Sequence, residues 1–400
     1  MKGKNRLILS TSYEELKDLV KGKKFPMVIC DLDAFNQNLE SVGNYLKKVK
    51  KSLRLCTKSV RVPELVNIIE KEDFVNGIFT YNSAEALFYA ENYKTKDILL
   101  GYPTMSKVDV DELCKAASID GVSITVMVDD IKQINLLEEF AVKNDVEFDT
   151  LIEIDVADKL FGRNVGVYRS PIREPEAAVK LAQIISKANN LHFRGIMGYE
   201  AQNASIGDDK ALFRFAKKRS RKHVNIWRQN FVDALNNAGF KPEVVNGGGS
   251  GCFQETAAEP SITEIGIGSL LFKSHIFDTI NSLNEFLPSL FFVIQIVRKP
   301  KENIATAFSG GYVSSGSVRA LPIPVIPKNL ITSKDEEFGE VQTPFTFNPE
   351  QLDLDLGAPI FCRFGKAGEP LEHFNQVYIY QNGEIIDTYK TYRGYGKRFS

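Results

Sequence analysis

Two features of this 400-residue sequence could do chemistry together. The first is Lys58, a primary amine that closes the apolar run LRLCT (53–57). Arg54 and Arg61 lie close to it in sequence. Partial burial beside other cations predicts a lowered pKa, which favours the neutral amine that attacks an aldehyde. The second is Asn246-Gly247-Gly248-Gly249-Ser250-Gly251. Consecutive glycines let backbone N–H groups converge on an anion. Gly266 and Gly268, in TEIGIGS (263–269), offer a second such segment. Taken singly, each feature has a plainer reading: a solvated surface lysine, and a tight or flexible turn.

Chemistry needs these groups in one place, so the elements between them matter. From about position 53 to 270, short apolar runs alternate with longer amphipathic stretches. The runs are LRLCT (53–57), GIFT (77–80), DILL (97–100), ITVMV (124–128), TLIEI (150–154), FRGIM (193–197), EVVNG (243–247) and TEIGIG (263–268). Helical spacing marks 63–72, 83–91, 107–117, 131–143, 175–188 and 209–238. Asn82 and Ser106 stand where helix caps belong. Strands separated by helices pair in parallel, and eight of them over roughly 220 residues predict a closed (β/α)8 barrel of the TIM type. An open doubly wound sheet is the alternative, but no GxGxxG follows the first run. In such a barrel the reactive groups sit at the C-terminal strand ends, and phosphate often binds in the loops after strands seven and eight. Lys58 ends the first strand; the two glycine segments follow the seventh and eighth. An aldehyde carrying a phosphate would span that mouth, and pyridoxal phosphate is such a molecule.

After Phe272 the texture changes to short alternating runs such as LFFVIQIV (290–297), IATAF (304–308), APIFCRF (358–364) and QVYIYQ (376–381). Gly, Pro and Asn separate them, which predicts an antiparallel β-domain. MVICDLD (27–33) reads as a strand that would be a ninth in the barrel, so it is expected to pair with the C-terminal sheet. The expected division is 1–45 for an N-terminal strand and helix, 46–275 for the barrel and 276–400 for the β-domain.

Fifty basic and 51 acidic residues give a formal net charge of -1, with no general pull toward nucleic acid or anionic membrane. No stretch approaches the length of a membrane span or the apolar core of a signal peptide. The five cysteines form no CxxC pair, which predicts a reducing, cytoplasmic location.

With these pieces in order, the chain resembles the fold-type III pyridoxal-phosphate enzymes, which share an alanine racemase-type barrel: alanine racemase, D-threonine aldolase and D-serine dehydratase. The matching pieces are PMVICDLDAFNQNL (26–39), LRLCTK (53–58), DILLGYP (97–103), EID (153–155) with a following arginine, GIMGYEAQ (195–202), NGGGSG (246–251) and TEIGIGSLLF (263–272). The C-terminal stretch FCRFGKAGEPLEHFNQVYIYQNGEIIDTYKTYRGYG is most similar to the D-threonine aldolase and amino-acid deaminase/aldolase group.

The resemblance implies a homodimer that acts on a small amino acid, and it implies roles for particular residues. Lys58 would hold the cofactor as a Schiff base and serve as a base. Gly248, Gly249 and Ser250 would bind the phosphate, with Gly268 and Ser269 adding to that site. Tyr199 would lie near the pyridine ring. Arg163 would approach the ring hydroxyl, with Arg169 as a rival because this segment is longer than the family pattern. Aldolases and dehydratases of this group bind a divalent metal through a His-x-Asp or His-x-Cys pair. Here the pair is His373 and Asn375. Asn is a neutral oxygen ligand, weaker for zinc than a thiolate and tolerable for harder cations such as manganese or magnesium. A structural histidine is the alternative.

The implied reaction is lyase chemistry on a β-hydroxy D-amino acid. Lys58 or His373 would take the β-hydroxyl proton, giving glycine and an aldehyde, or the hydroxyl would be lost as in a dehydratase. Racemisation ranks second. It needs a further base, for which Tyr312 is the candidate. A non-catalytic cofactor carrier ranks third, disfavoured by the sizeable C-terminal domain.

Overall fold

The computed structural model describes residues 6–160, 163–204, 206–315 and 320–399; of residues 159, 160, 163 and 164 it describes the backbone alone. The first strand, β1 (Met27–Asp31), is followed by β2 (Ser52–Cys56), β3 (Val75–Thr80), β4 (Asp97–Leu100), β5 (Ser123–Val128) and β6 (Phe148–Glu153). A short hairpin, β7 (Asp158–Leu160) and β8 (Arg163–Val165), precedes β9 (Leu191–Gly198), β10 (Val244–Gly247) and β11 (Glu264–Ile267). Strands β2, β3, β4, β5, β6, β9, β10 and β11 close into a barrel, every pair parallel. All eight expected runs are its strands.

Alternation along each strand explains the barrel. Leu55, Ile78, Ile98, Val126, Ile152, Ile196, Val245 and Ile265 join the large core that includes the surrounding helices. Leu99, Met127, Leu151, Met197 and Val244 form a separate apolar cluster. Strand residues of opposite parity thus serve two cores, one outside the barrel and one within it. A charged layer also joins several strands. Arg54 donates to Glu264 at 2.6 Å and to Asp97 at 2.7 Å, and Arg194 reaches Asp97 at 2.6 Å. Asn82 and Ser106 cap the helices Ser83–Tyr93 and Lys107–Ala117 by accepting from backbone amides.

The remaining strands are β12 (Leu290–Lys301), β13 (Ile304–Phe308), β14 (Ile323–Ile326), β15 (Ile331–Thr332), β16 (Gln342–Thr346), β17 (Pro359–Arg363), β18 (Gln376–Gln381) and β19 (Glu384–Lys390). They form one sheet with β1, which lies antiparallel to β12 and parallel to β18. Met27 and Ile29 pack on one face with Ile8, Leu16 and Phe291, while Val28 and Cys30 face the large core. A strand buried on both faces reads as a continuous apolar run, which is why MVIC does not alternate.

The last residues are pinned to the barrel through a buried carboxylate. Glu85, on the helix Ser83–Tyr93, accepts from the Tyr392 hydroxyl and from the Tyr81 amide at 2.8 Å. Burial pushes its carboxyl up to about 7, against the lowering effect of those bonds. A carboxyl raised on folding stabilises the fold fully below its ordinary pKa, and that contribution is lost as pH rises through about 7. The expected cost by pH 8 is up to roughly 3 kcal/mol. Melting temperatures should therefore fall from pH 5.5 to pH 8 more steeply in the wild type than in Glu85→Gln. Equal slopes would remove Glu85 as the cause. Among the described residues no helix is long and apolar enough to cross a membrane.

Candidate active site

The strand ends open into one cavity of about 740 Å³ including its mouth. Lys58 stands on a 3-10 turn, Thr57–Ser59, immediately after β2. The turn is anchored by the Thr57 hydroxyl, which donates to the Phe79 carbonyl at 3.0 Å. Lys58, Tyr199, Gly248, Gly249, Ser250, Gly268 and Ser269 all line this cavity, so the structure brings these expected site residues together.

The Lys58 ammonium keeps solvent access and donates to the Tyr102 hydroxyl at 3.0 Å. Burial pulls its pKa down, but the interactions with Tyr102, and beyond it with Cys56 and Tyr199, outweigh burial and hold it above its ordinary value. The expectation of a lowered amine is thus corrected. Arg54 is engaged by Glu264 and Asp97, and Arg61 pairs with Glu372 at 2.6 Å. Neither is an unbalanced positive charge beside the amine.

The two glycine segments form one wall. Ser250 accepts from the Leu270 amide at 3.1 Å, tying the loop after β10 to the turn after β11. Ser269 bonds Ser59 at 2.9 Å, which joins that turn to the one carrying Lys58. Side chains have no room here. A Cβ on Gly268 would lie 2.5 Å from the Cys56 carbonyl oxygen, one on Gly249 would lie 2.7 Å from the Ala204 methyl, and one on Gly251 would overlap the Ala204 carbonyl. Among the described residues, the amides of Gly249, Ser250, Gly268 and Ser269 have no hydrogen-bond acceptor. Gly249 and Gly268 are buried. Buried amides without partners are rare, and several on one cavity wall make an anion site.

Behind that wall lies an ion cluster. Arg228, from the long helix Ala211–Asn237, is fully buried. It donates to Glu200 at 3.1 Å and to the Gly198 carbonyl at 3.2 Å, and it pairs with Glu259. Thr256 donates to Glu200 at 2.8 Å. A Cβ on Gly247 would lie 2.8 Å from the Arg228 guanidinium, which therefore packs directly against the root of the glycine loop.

Three contributors lie among matching pieces but carried no expected role: Tyr102, Glu153 and Cys56. Tyr102 and Glu153 stand at or just past the ends of β4 and β6, and that position was the available signal. Burial, with Asp129 nearby, raises the Glu153 carboxyl to about 7, although Arg169 opposes the shift. Arg169 lines the cavity, its guanidinium 5.1 Å from the Tyr199 ring centre. The side chain of Arg163 lies outside the described residues.

A second cleft adjoins the first, sharing Lys58 and Ser59. His373 lines it; Asn375 is exposed and is not among its lining residues. The His373 ring packs 5.5 Å from that of Tyr312. Tyr312 itself is buried against Phe292, Phe364 and Phe374, with its hydroxyl bonded to Ser309 at 2.8 Å. Among the described residues no group of three or more His, Cys, Asp or Glu side chains is placed to hold a metal ion.

Comparison with known proteins agrees with this fold. Residues 30–275 match the model of the alanine racemase N-terminal domain. The chain is similar to a 3-hydroxy-D-aspartate aldolase of Paracoccus denitrificans (strain Pd 1222), 26% identical over 293 residues covering 71% of each chain. It is 23% identical over 345 residues to a D-threonine aldolase of an Arthrobacter species, covering 83% of each. The crystal structure of D-threonine aldolase from Filomicrobium marinum superposes with a TM-score of 0.81 at 19% identity, covering 92% of this chain and 94% of that one.

Proposed function

The chain belongs to the alanine racemase N-terminal domain family, and from that premise we propose that it is a pyridoxal-phosphate-dependent lyase of β-hydroxy D-amino acids, cleaving Cα–Cβ to give glycine and an aldehyde. The single observation that carries the reading is the shared cavity: the Lys58 amine and the acceptor-less amides of the glycine segments line the same walls. The residues fit the cofactor. An amine is present for its aldehyde, a backbone cradle that a Cβ would fill is present for its phosphate, and Tyr199 offers a ring face beside them. When bound, pyridoxal phosphate supplies an aldehyde for the amine and a conjugated ring that withdraws electrons from the substrate's Cα.

The chain's own groups do the rest. Gly249, Ser250, Gly268 and Ser269 would hold the phosphate through N–H donors, while the hydroxyls of Ser250 and Ser269 brace the two loops. Tyr102 holds the Lys58 Nζ at 3.0 Å; this amine would hold the cofactor's aldehyde, and in its neutral form it would take the β-hydroxyl proton at Nζ. Glu153, poised near neutrality, holds or returns a proton at its carboxylate within the cavity. Arg169, whose guanidinium lies 5.1 Å from the Tyr199 ring centre, would supply the positive charge that resemblance gave to Arg163 or Arg169.

A metal on His373 and Asn375 does not fit the donor set, because Asn375 stands outside the cleft that His373 lines. No step is routed through one. A racemase would need a second base, and the Tyr312 hydroxyl is already bonded within a packed aromatic cluster. A homodimer, from the family resemblance, and a cytoplasmic location, from five cysteines without a CxxC pair, are part of the same proposal.

Incubation of the purified protein with D-threonine, D-serine and D-alanine tests the reading. Glycine and acetaldehyde from D-threonine are expected. Pyruvate and ammonia from D-serine would make it a dehydratase, L-alanine a racemase, and no turnover a carrier.

A further inference from the structure

The turn that carries Lys58 ends on an unusual residue. Arg61 has a φ of 52°, in the left-handed region. Glycine is the usual residue where a helical turn ends in that conformation, and another residue persists there when its surroundings hold it. Here they do. The Arg61 amide donates to the Thr57 carbonyl at 3.0 Å, and the Arg61 carbonyl accepts from the Tyr392 amide at 3.2 Å. Its guanidinium donates to the Lys58 carbonyl at 3.0 Å through Nε and to Glu372 at 2.6 Å through Nη1. It also lies 5.2 Å from the centre of the Tyr81 ring. A second residue presses on the same peptide. A Cβ on Gly368 would overlap the Lys58 carbonyl oxygen and lie 2.8 Å from the Ser59 Cα, so the Gly368 backbone rests directly against it.

The C-terminal domain thus grips the main chain of Lys58, directly through Gly368 and through Arg61 by way of Glu372 and Tyr392. Gly368 precedes the 3-10 helix Glu369–His373, which carries Glu372, so the two act from one short segment. Neither they nor Arg61 lines the cavity shared by the Lys58 amine and the glycine wall. Lys366 and Arg398 line the neighbouring cleft together with Arg61. Arg61 differs in turning its guanidinium onto the Lys58 peptide. The amine hangs from that peptide on a four-carbon stem, so a small tilt of the main chain displaces Nζ.

We propose that Arg61 is a positioning residue: with Gly368 beside it, it lets the C-terminal domain fix the Lys58 peptide and so aim the amine. The inference rests on the reading of Lys58 as the cofactor lysine, and its first readout needs no turnover. Pyridoxal phosphate is added to the apoprotein, and the band at roughly 410–420 nm is followed as the lysine-bound cofactor forms. Arg61→Met should slow that step by about 10- to 100-fold, the scale of a misplacement of about 1 Å. It should lower kcat for glycine formation from D-threonine on the same scale, with KM within about threefold of the wild type. Arg61→Lys returns the charge but not the planar fork that spans Lys58 and Glu372, so it should recover little of either rate. Gly368→Ala changes no charge and should give the same pattern. Melting temperatures show which variants fold, and the Arg61 pair decides where Gly368→Ala does not. Unchanged loading and kcat in Arg61→Met would overturn the proposal. So would a rise in KM alone that Arg61→Lys reverses, which would make Arg61 a cation for the substrate's carboxylate. A wild type that loads the cofactor yet forms no glycine would remove the lyase reading and leave the loading comparison to judge this one. A wild type that forms no band would overturn both.

Discussion

Replacing Lys58 with alanine should lower turnover by roughly a thousandfold or more, the scale seen when a residue that acts as both nucleophile and base is removed. The effect should be chemical, not structural. The turn carrying Lys58 is held by the Thr57 hydroxyl and by the Ser59–Ser269 bond, neither of which uses the lysine side chain. The side chain keeps solvent access and has one hydrogen bond, to Tyr102, so little packing is lost. Far-UV circular dichroism and melting temperature should stay near those of the wild type. The absorption band expected at roughly 410–420 nm for the lysine-bound cofactor should disappear. A variant that keeps both the band and turnover would sink the assignment.

Arg228→Met should destabilise the protein by about 3–5 kcal/mol, because it strands two carboxylates in a buried site. Glu200 is fully buried and Glu259 nearly so. Both depend on this guanidinium, which also braces the Gly198 carbonyl next to Tyr199 and packs against Gly247. The loss should reach the site as well as the fold, with weaker retention of pyridoxal phosphate on dialysis. Arg228→Lys keeps the charge but not the fork, and it should recover only part of the stability. Chemical denaturation of all three proteins checks this. A Met variant with an unchanged midpoint would show that the cluster is not needed.

Much of this was legible in the sequence because the signals are local. The barrel strands are short apolar runs, and their helices are capped by nearby residues such as Asn82 and Ser106. Lys58 and the glycine segments could be placed because strand order alone sends them to one mouth. What escaped depends on contacts between distant parts of the chain. Glu264 and Asp97 neutralise Arg54, and Glu372 neutralises Arg61, so the sign of the Lys58 shift could not be read from its neighbours in sequence. Lys366 and Arg398 reach the cleft only because the C-terminal domain folds back over the first barrel strand.

That fold-back has a consequence for how the protein is made. Strand β1 leaves the ribosome early, yet Cys30 pairs with Leu290 on one side and Ile379 on the other. At roughly 5–20 residues per second, the wait between synthesis of the strand and of its last neighbour is on the order of 20–70 s. The barrel strands pair only with one another, so they can close while β1 is still idle. Until β12 is made the segment MVIC has two open edges, and until β18 follows it keeps one, a natural target for chaperones and a seed for aggregation if translation stalls.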